Sequence, residues 1–145
     1  MRLSKNFTLK ELIKSHTATR RGISNEPTQQ HLQNLQKLVD NILQPIRDGL
    51  NMSITLNSCY RSKALNKAVG GSLNSQHCKG EAGDIDVGDD NFKVFNYIKD
   101  NLDFDQMIWE AGDKNNPAWV HVSYREGRNR KQVLRMVNGK YFNYE

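Results

Sequence analysis

The chain has 145 residues, of which 37% are hydrophobic and 26% charged, a length and composition typical of one folded domain. Lysine and arginine outnumber aspartate and glutamate by 21 to 16, so the formal net charge is +5 and an anionic partner is expected. No apolar run approaches the roughly 18 residues of a membrane span, so we expect no membrane insertion. The basic segment 1–7 lacks the apolar core of a secretory signal, which predicts synthesis in the cytoplasm.

Helical patterns dominate the first half of the sequence. Thr8–Glu11 has the form of a capping box and predicts a short helix to about Ser15. Asn25–Pro27 predicts the start of a second helix, since proline suits a first turn, and Pro45 is expected to kink or end that helix one turn early. Apolar residues at helical spacing carry the second helix to about residue 48 and are expected to face the core: Leu32, Leu35, Leu38, Val39, Ile42, Leu43 and Ile46.

Strand patterns are more frequent in the second half. Strands are predicted over residues 53–59, 104–110, 119–124 and 132–137, and helices over residues 62–68 and 92–101. Helices segregated from a largely antiparallel sheet make an α+β fold, in a single domain that covers residues 1–145.

The segment Ser75–Val87 holds most of the residues that could carry chemistry. His77 and Asp84 lie seven residues apart with Gly80 and Gly83 between them, so they do not share one face of a helix as in an H-E-x-x-H site. The spacing instead predicts a turn of small residues that feeds a strand, whose first side chain returns beside the histidine.

Period-two alternation predicts which side chains share a face of the sheet. In the strand that begins at Asp84, both aspartates are expected to face away from Ile85 and Val87, which belong to the core. In the strand over 119–124, one face carries Trp119, His121 and Ser123, and the other carries Val120, Val122 and Tyr124.

Two such strands side by side would present Asp84 and His121 to the same cleft. With His77 they form a plausible zinc site of two histidines and one carboxylate. Three protein ligands leave the fourth tetrahedral position for water, which zinc acidifies into a nucleophile at neutral pH. The pattern therefore indicates a hydrolase.

The same residues resemble the signature of a known family. The motif S-x-H-x-x-G-x-A-x-D at residues 75–84, followed by His121 in a hydrophobic strand, is similar to that of the zinc D-Ala-D-Ala carboxypeptidases. That group includes the L-alanyl-D-glutamate endolysins of bacteriophages, and the likeness runs over about residues 57–124. It implies that His77, Asp84 and His121 bind one zinc ion per chain. It also implies a Hedgehog/DD-peptidase-like fold, which is shared with zinc-containing signalling domains.

The resemblance also implies a substrate, a peptidoglycan stem peptide cut at either D-Ala-D-Ala or L-Ala-D-Glu. Arg61, within Tyr60–Ser62, resembles the family arginine that contacts the substrate or its developing oxyanion, a role that suits a permanently charged guanidinium. Ser75, Gln76 and Ser123 are expected to line the substrate cleft. The implied setting is a monomer that acts on the cell wall after release by phage lysis or host export.

One position departs from the family pattern. Many members carry the general base as a glutamate three residues before the last ligand, where this chain has Ala118. Peptide hydrolysis needs a group that takes the proton of water and delivers it to the amine, so that group must come from elsewhere. The candidates are Glu110, at the end of a predicted strand, and Asp113, in the loop that follows. A strand is the firmer platform for proton transfer, which favours Glu110.

Two other functions stay open at this point. The missing glutamate at position 118 is compatible with a non-catalytic zinc-containing module that binds the cell wall. The basic loop Arg125–Lys131 is compatible with a nucleic-acid-binding protein, but that function leaves the histidines and aspartate of the motif unexplained. We therefore expect no nucleic-acid partner.

The remaining cysteines and histidines are expected to have no catalytic role. Cys59 and Cys78 form no C-x-x-C pattern and are predicted to be free thiols. Cys78 follows His77 directly and could bind metal, but thiolate ligation would conflict with the His-Asp-His set. His16 and His31 lack acidic neighbours at ligand spacing and are predicted to be surface residues.

Overall fold

The computed structural model describes all residues from 1 to 145 and contains one six-stranded sheet. The strands are β1 (Leu56–Ser58), β2 (Ala82–Ile85), β3 (Gln106–Glu110), β4 (Trp119–Ser123), β5 (Gln132–Val137) and β6 (Lys140–Asn143). Their order across the sheet is β1-β2-β4-β3-β5-β6, and every neighbouring pair is antiparallel except the parallel pair of β3 and β5. The predicted α+β class with a largely antiparallel sheet is confirmed.

Six α-helices accompany the sheet. They are α1 (Leu9–Ile13), α2 (His16–Arg21), α3 (Gln29–Leu38), α4 (Gln44–Leu50), α5 (Lys63–Ala68) and α6 (Asn91–Asn101). None of them combines the length and the hydropathy that crossing a bilayer requires.

The second predicted helix begins later and continues further than the sequence indicates. Thr28 caps α3 through the N–H of His31, whose ring accepts the Thr28 N–H in return, so the partly exposed His31 also has a local structural role. Pro45 does not end the helix. The π-helical turn Val39–Leu43 joins α3 to α4, and we attribute the uninterrupted run to it, because a wider turn accommodates a residue that has no N–H to donate. The helical run continues to Leu50.

Other boundaries also differ from the sequence prediction. Strand β1 is shorter than the predicted 53–59, and β2 ends at Ile85. The sequence did not predict α2, which Ser15 caps at its start and the left-handed Gly22 ends. It also did not predict β6, an edge strand exposed along its whole length, because a strand without a buried face shows no apolar alternation.

The hydrophobic core lies on one face of the sheet, and α1, α3, α4 and α6 contribute to it. Leu35, Leu38 and Ile42 from the α3 region and Val94, Phe95 and Ile98 from α6 are fully buried in it. On the sheet side the core contains Ile85, Met107, Trp109, Val120 and Val122. Because side chains alternate along a strand, the residues between these positions must face the opposite side of the sheet. That opposite side bears the cleft described next.

Candidate active site

Strand register brings Asp84 and His121 together on the face opposite the core. Asp84 of β2 pairs directly with His121 of β4, and His121 pairs in turn with Ile108 of β3. Directly paired residues of an antiparallel ladder project side by side from the same face. The side chains of Asp84 and His121 thus become neighbours although 37 positions separate them in the sequence.

The third member of the group, His77, comes from a tight turn rather than from the sheet. The helical turn Gln76–Lys79 begins at Ser75, whose hydroxyl accepts the N–H of His77 at 3.2 Å. Gly80 ends the turn in the left-handed conformation with φ +77°, and a Cβ there would lie 2.6 Å from the carbonyl oxygen of His31. Glycine is therefore required at this position, both for its backbone angle and for the close approach of α3.

The ligand atoms of these three residues converge. The Nε2 atom of His77 lies 3.3 Å from Asp84 Oδ2, and the Nδ1 atom of His121 lies 2.9 Å from Asp84 Oδ1. All three donor atoms lie within 4.8 Å of one another. The other ring nitrogen of His77, Nδ1, is 2.6 Å from the carbonyl oxygen of Cys59 and must donate to it, so Nε2 is the nitrogen that faces Asp84 and that a metal can bind in exchange for a proton.

The donor chemistry fits zinc. Two imidazole nitrogens and one carboxylate oxygen are the three-ligand set of hydrolytic zinc sites. Burial alone would raise the pKa of Asp84, but the adjacent His77 charge and hydrogen bonds from both histidines lower it below its usual range. The carboxylate is therefore available in the anionic form that a metal requires. The cysteines are free, as predicted: Cys59 is buried and Cys78 is not part of the cluster.

Glu110 stands beside this group at the end of β3. It pairs with Trp119 of β4, two residues before His121, so both side chains lie on the cleft face. Only 7% of Glu110 is exposed, and its pKa is raised to about 7. Burial is the largest cause of this shift; the electrostatic effect of His121 opposes it, and that of Asp84 adds to it. A carboxyl group that titrates near neutral pH can both accept and release a proton under physiological conditions.

The structure does not bring Asp113 into the same cleft. Its carboxylate lies in the exposed loop after β3 and accepts the N–H groups of Asn115 and Asn116 at 2.8 and 3.0 Å. These bonds lower the pKa of Asp113. Its carbonyl oxygen accepts the indole N–H of Trp109. The contacts of Asp113 are those of a residue that holds a loop in shape.

Arg61 lines the cleft from a turn that is hydrogen-bonded to the turn carrying His77. Its backbone N–H donates to the carbonyl oxygen of His77 at 3.1 Å. Asn25 holds the same turn by accepting the Ser62 N–H at 2.7 Å and donating to the Tyr60 carbonyl at 3.1 Å. The Nε atom of Arg61 is buried without a hydrogen-bond partner, which leaves an unsatisfied donor within the residue that lines the cleft.

Ser75 and Gln76 line the cleft, whereas Ser123 does not. Ser123 is completely buried, and its hydroxyl accepts the N–H of Gln106. The side-chain N–H₂ of Gln76 donates to Glu81 at 3.3 Å and to Asp105 at 3.1 Å, so its carbonyl oxygen is the atom left for other contacts.

The cleft has a volume of about 850 Å³ and two chemically different ends. Strand register places Glu110, Trp119, Met136 and Tyr141 at one end and Gln106 at the other, where the loop after Ser123 contributes three arginines. Sequence reasoning missed this second end, which comprises Arg125, Arg128 and Arg130 with the buried Asp105 beneath them. The available signal was an aspartate near the start of a predicted strand, since a buried carboxylate requires cationic partners.

The chain is similar to one known family of proteins. No curated protein matches the chain. The family model described as Peptidase M15 matches residues 5–123, which include the helical layer, the turn with His77, and strands β1 to β4. That match covers most of the 145 residues, including His77, Asp84, His121, Glu110 and Arg61, whereas the three arginines of the following loop, Met136 and Tyr141 lie outside it. The chain belongs to the peptidase M15 family.

Proposed function

We propose that this member of the family is a zinc-dependent peptidase that hydrolyses an amide bond in the stem peptides of peptidoglycan. The observation that carries the proposal is the convergence of His77, Asp84 and His121 beside the buried carboxyl group of Glu110 in one cleft. Membership of the peptidase M15 family supports it.

Each residue of the site has a distinct role in this proposal. His77, Asp84 and His121 hold zinc, which when bound lowers the pKa of a water and polarises the scissile carbonyl. Glu110 accepts the proton of that water and delivers it to the leaving amine, a use for which its raised pKa is suited. The buried position of Glu110 makes it the proton carrier in preference to the exposed Asp113.

Arg61 binds the negative charge of the substrate or of its transition state. A guanidinium presents fixed donors to a carboxylate or an oxyanion, and the Nε of Arg61 has no partner within the protein. Both candidate bonds place a carboxylate on the residue after the scissile amide: the terminal carboxylate in D-Ala-D-Ala and the α-carboxylate in L-Ala-D-Glu. One arginine therefore suits either substrate.

The principal alternative is a zinc-containing module that binds the cell wall without cutting it. Ala118 motivates that function, because many family members have their glutamate at this position. Glu110 argues against it: the Ala118 N–H donates to the Glu110 carbonyl at 2.9 Å, so β3 supplies a buried carboxyl group next to position 118, just before β4.

Mass analysis of purified muropeptides separates these functions. With zinc, the enzyme is expected to release either a terminal D-alanine or the peptide that follows L-alanine, and the mass lost identifies the bond. A chelator should abolish the change, and added zinc should restore it. Unaltered muropeptides after incubation with protein shown to contain zinc would contradict the peptidase and favour the binding module.

A further inference from the structure

The cleft carries more positive charge than the proposed chemistry uses. Five cationic side chains line it, namely Arg61, Lys79, Arg125, Arg128 and Arg130, against the two carboxyl groups of Asp84 and Glu110. One of those carboxylates belongs to the proposed metal ligands. Such an excess attracts an anionic ligand. We call Arg125, Arg128 and Arg130, all from the loop between β4 and β5, the arginine rim.

Asp105 anchors the arginine rim to the sheet. Its carboxylate is completely buried and accepts Arg130 in a bidentate pair, with Nε at 2.8 Å and Nη2 at 3.0 Å. The Arg130 backbone N–H donates to the same carboxylate at 3.2 Å. Gln76, from the turn that carries His77, donates to it at 3.1 Å. Arg130, at the end of the rim, is therefore held at a set position relative to the turn that carries His77.

The other two arginines retain donors for a ligand. Arg128 Nη2 lies 3.6 Å from Asp105 Oδ2, too far for a hydrogen bond, and that oxygen already accepts Arg130 and Gln76. Arg125 takes part in no ion pair in the structure. Guanidinium groups with free donors pair well with carboxylates.

Strand geometry places the arginine rim away from the scissile bond. Ile108 of β3 is level with His121, and Gln106, at the rim end of the cleft, lies two residues earlier. Two residues of a strand span about 7 Å, which is also the rise of about two residues of an extended peptide. A carboxylate at the rim would therefore be about two residues from the bond that is cut, and distinct from the group assigned to Arg61.

We propose that Arg125 and Arg128 bind a second carboxylate of the substrate, about two residues from the scissile bond, with Arg130 and Asp105 as positioning residues. The proposal rests on the proposed function and narrows its substrate class to stem peptides that carry an acidic group at that distance. A peptide with a carboxamide in place of that carboxylate is a poor substrate.

The test compares two stem peptides that differ only in a carboxylate or a carboxamide at that position. Wild-type enzyme should show a KM at least about 10-fold lower for the acidic peptide, with kcat within about twofold. This split is expected for a charge-assisted contact that is made equally in the enzyme–substrate complex and in the transition state. The double variant Arg125→Gln/Arg128→Gln should lose this preference. The control Arg20→Gln/Arg21→Gln removes the same charge from α2, outside the cleft, and should keep it.

Binding titrations of both peptides to zinc-loaded protein keep this proposal separate from the peptidase assignment. If the peptides are bound but not cut, the peptidase assignment fails, while an arginine-dependent preference for the acidic peptide still supports the rim. Equal KM and equal affinity for the two peptides would overturn the rim and leave hydrolysis standing. Loss of preference in the α2 control would reduce the effect to general charge attraction. Tight binding of an oligonucleotide that needs Arg125 and Arg128, without peptide preference, would also overturn the proposal.

Discussion

The two sides of the cleft are built in opposite ways. The proposed metal ligands come from β2, β4 and a tight turn, and the side chains of His77, His121 and Asp84 are only 3%, 13% and 17% exposed. The rim arginines Arg128 and Arg130 come from a loop, and their side chains are 54% and 44% exposed.

In the proposed mechanism, this difference separates the residues that carry out the reaction from those that select the substrate. Electrostatic interactions gain strength where water is excluded, so groups that transfer protons and bind metal benefit from burial on rigid strands. Groups that choose among substrates work at the exposed margin, where a change alters affinity without moving the reacting atoms. Gln76 joins the two sides, because it lies next to His77 and donates to Asp105.

Removal of a proposed metal ligand should abolish zinc binding and hydrolysis on the buried side of the cleft and leave the arginine rim intact. His77→Ala and His121→Ala are each expected to lose most of the bound zinc, about one ion per chain, together with all measurable hydrolysis. The exposed His16 provides a control, and His16→Ala should retain both. Elemental analysis of purified protein measures the metal, and an unchanged zinc content in both ligand variants would rule out this site.

Removal of Glu110, the proposed proton carrier, should separate metal binding from turnover. Glu110→Gln keeps the size and the hydrogen-bonding shape of the side chain, so zinc content and thermal stability should stay close to wild type. Turnover should fall by about 10²–10⁴-fold, the usual contribution of a general acid–base group. Asp113→Asn is the matched control and should change kcat little. A collapse of activity in Asp113→Asn with near-normal Glu110→Gln would transfer the role to the loop.

Arg61 allows the role of charge to be separated from that of geometry within the buried side. Arg61→Lys retains the charge but loses the planar donor fork, so hydrolysis should decrease although zinc stays bound. Arg61→Ala should cost on the order of 10²-fold, by analogy with the removal of an oxyanion donor. Kinetics on stem peptides, zinc content and thermal melting should be measured together. Full activity in Arg61→Ala would make it an ordinary surface arginine, and joint loss of zinc and fold would make it structural.

Substitution of Asp105, which anchors the arginine rim, is expected to have the smallest effect, a change in stability. Burial alone would raise the pKa of Asp105, but its hydrogen bonds from Arg130 lower the pKa below the usual value. A lowered folded-state pKa contributes stability that is present above the unfolded-state pKa, near 4, and is lost as pH falls through the folded value. Asp105→Asn should therefore cost about 1–3 kcal/mol of unfolding free energy at pH 7, and less at acid pH.

Urea unfolding between pH 3 and pH 7 measures this difference. Asp103→Asn is a suitable control, because Asp103 pairs with Lys131 at the surface with 79% of its side chain exposed. Such a pair contributes little to stability, so the control should follow the wild-type curve. An Asp105→Asn curve that stays parallel to wild type at every pH would show that the Arg130 pair does not contribute through its charge.

Local patterns predicted much of the fold. The strand at residues 132–137 has the predicted bounds, and the helix predicted over 92–101 differs by one residue from α6. Both follow from apolar periodicity, which a sequence displays directly. The α2 helix and the edge strand β6 escaped prediction because short or fully exposed elements carry little periodic signal. The π-helical turn before Pro45 escaped because it depends on backbone accommodation within a packed helix.

The sequence by itself determined the family, through the S-x-H-x-x-G-x-A-x-D motif, and the face shared by Asp84 and His121, through strand alternation. Tertiary structure decided which carboxyl group stands with them. Glu110 and Asp113 are three residues apart, yet register turns Glu110 into the cleft and burial shifts its pKa, while Asp113 stays in water. It also decided where the arginine rim lies, because the pairing of Arg130 with Asp105 joins positions 25 residues apart. Alternation is a local property of the chain, whereas burial and long-range pairing exist only after the sheet has formed.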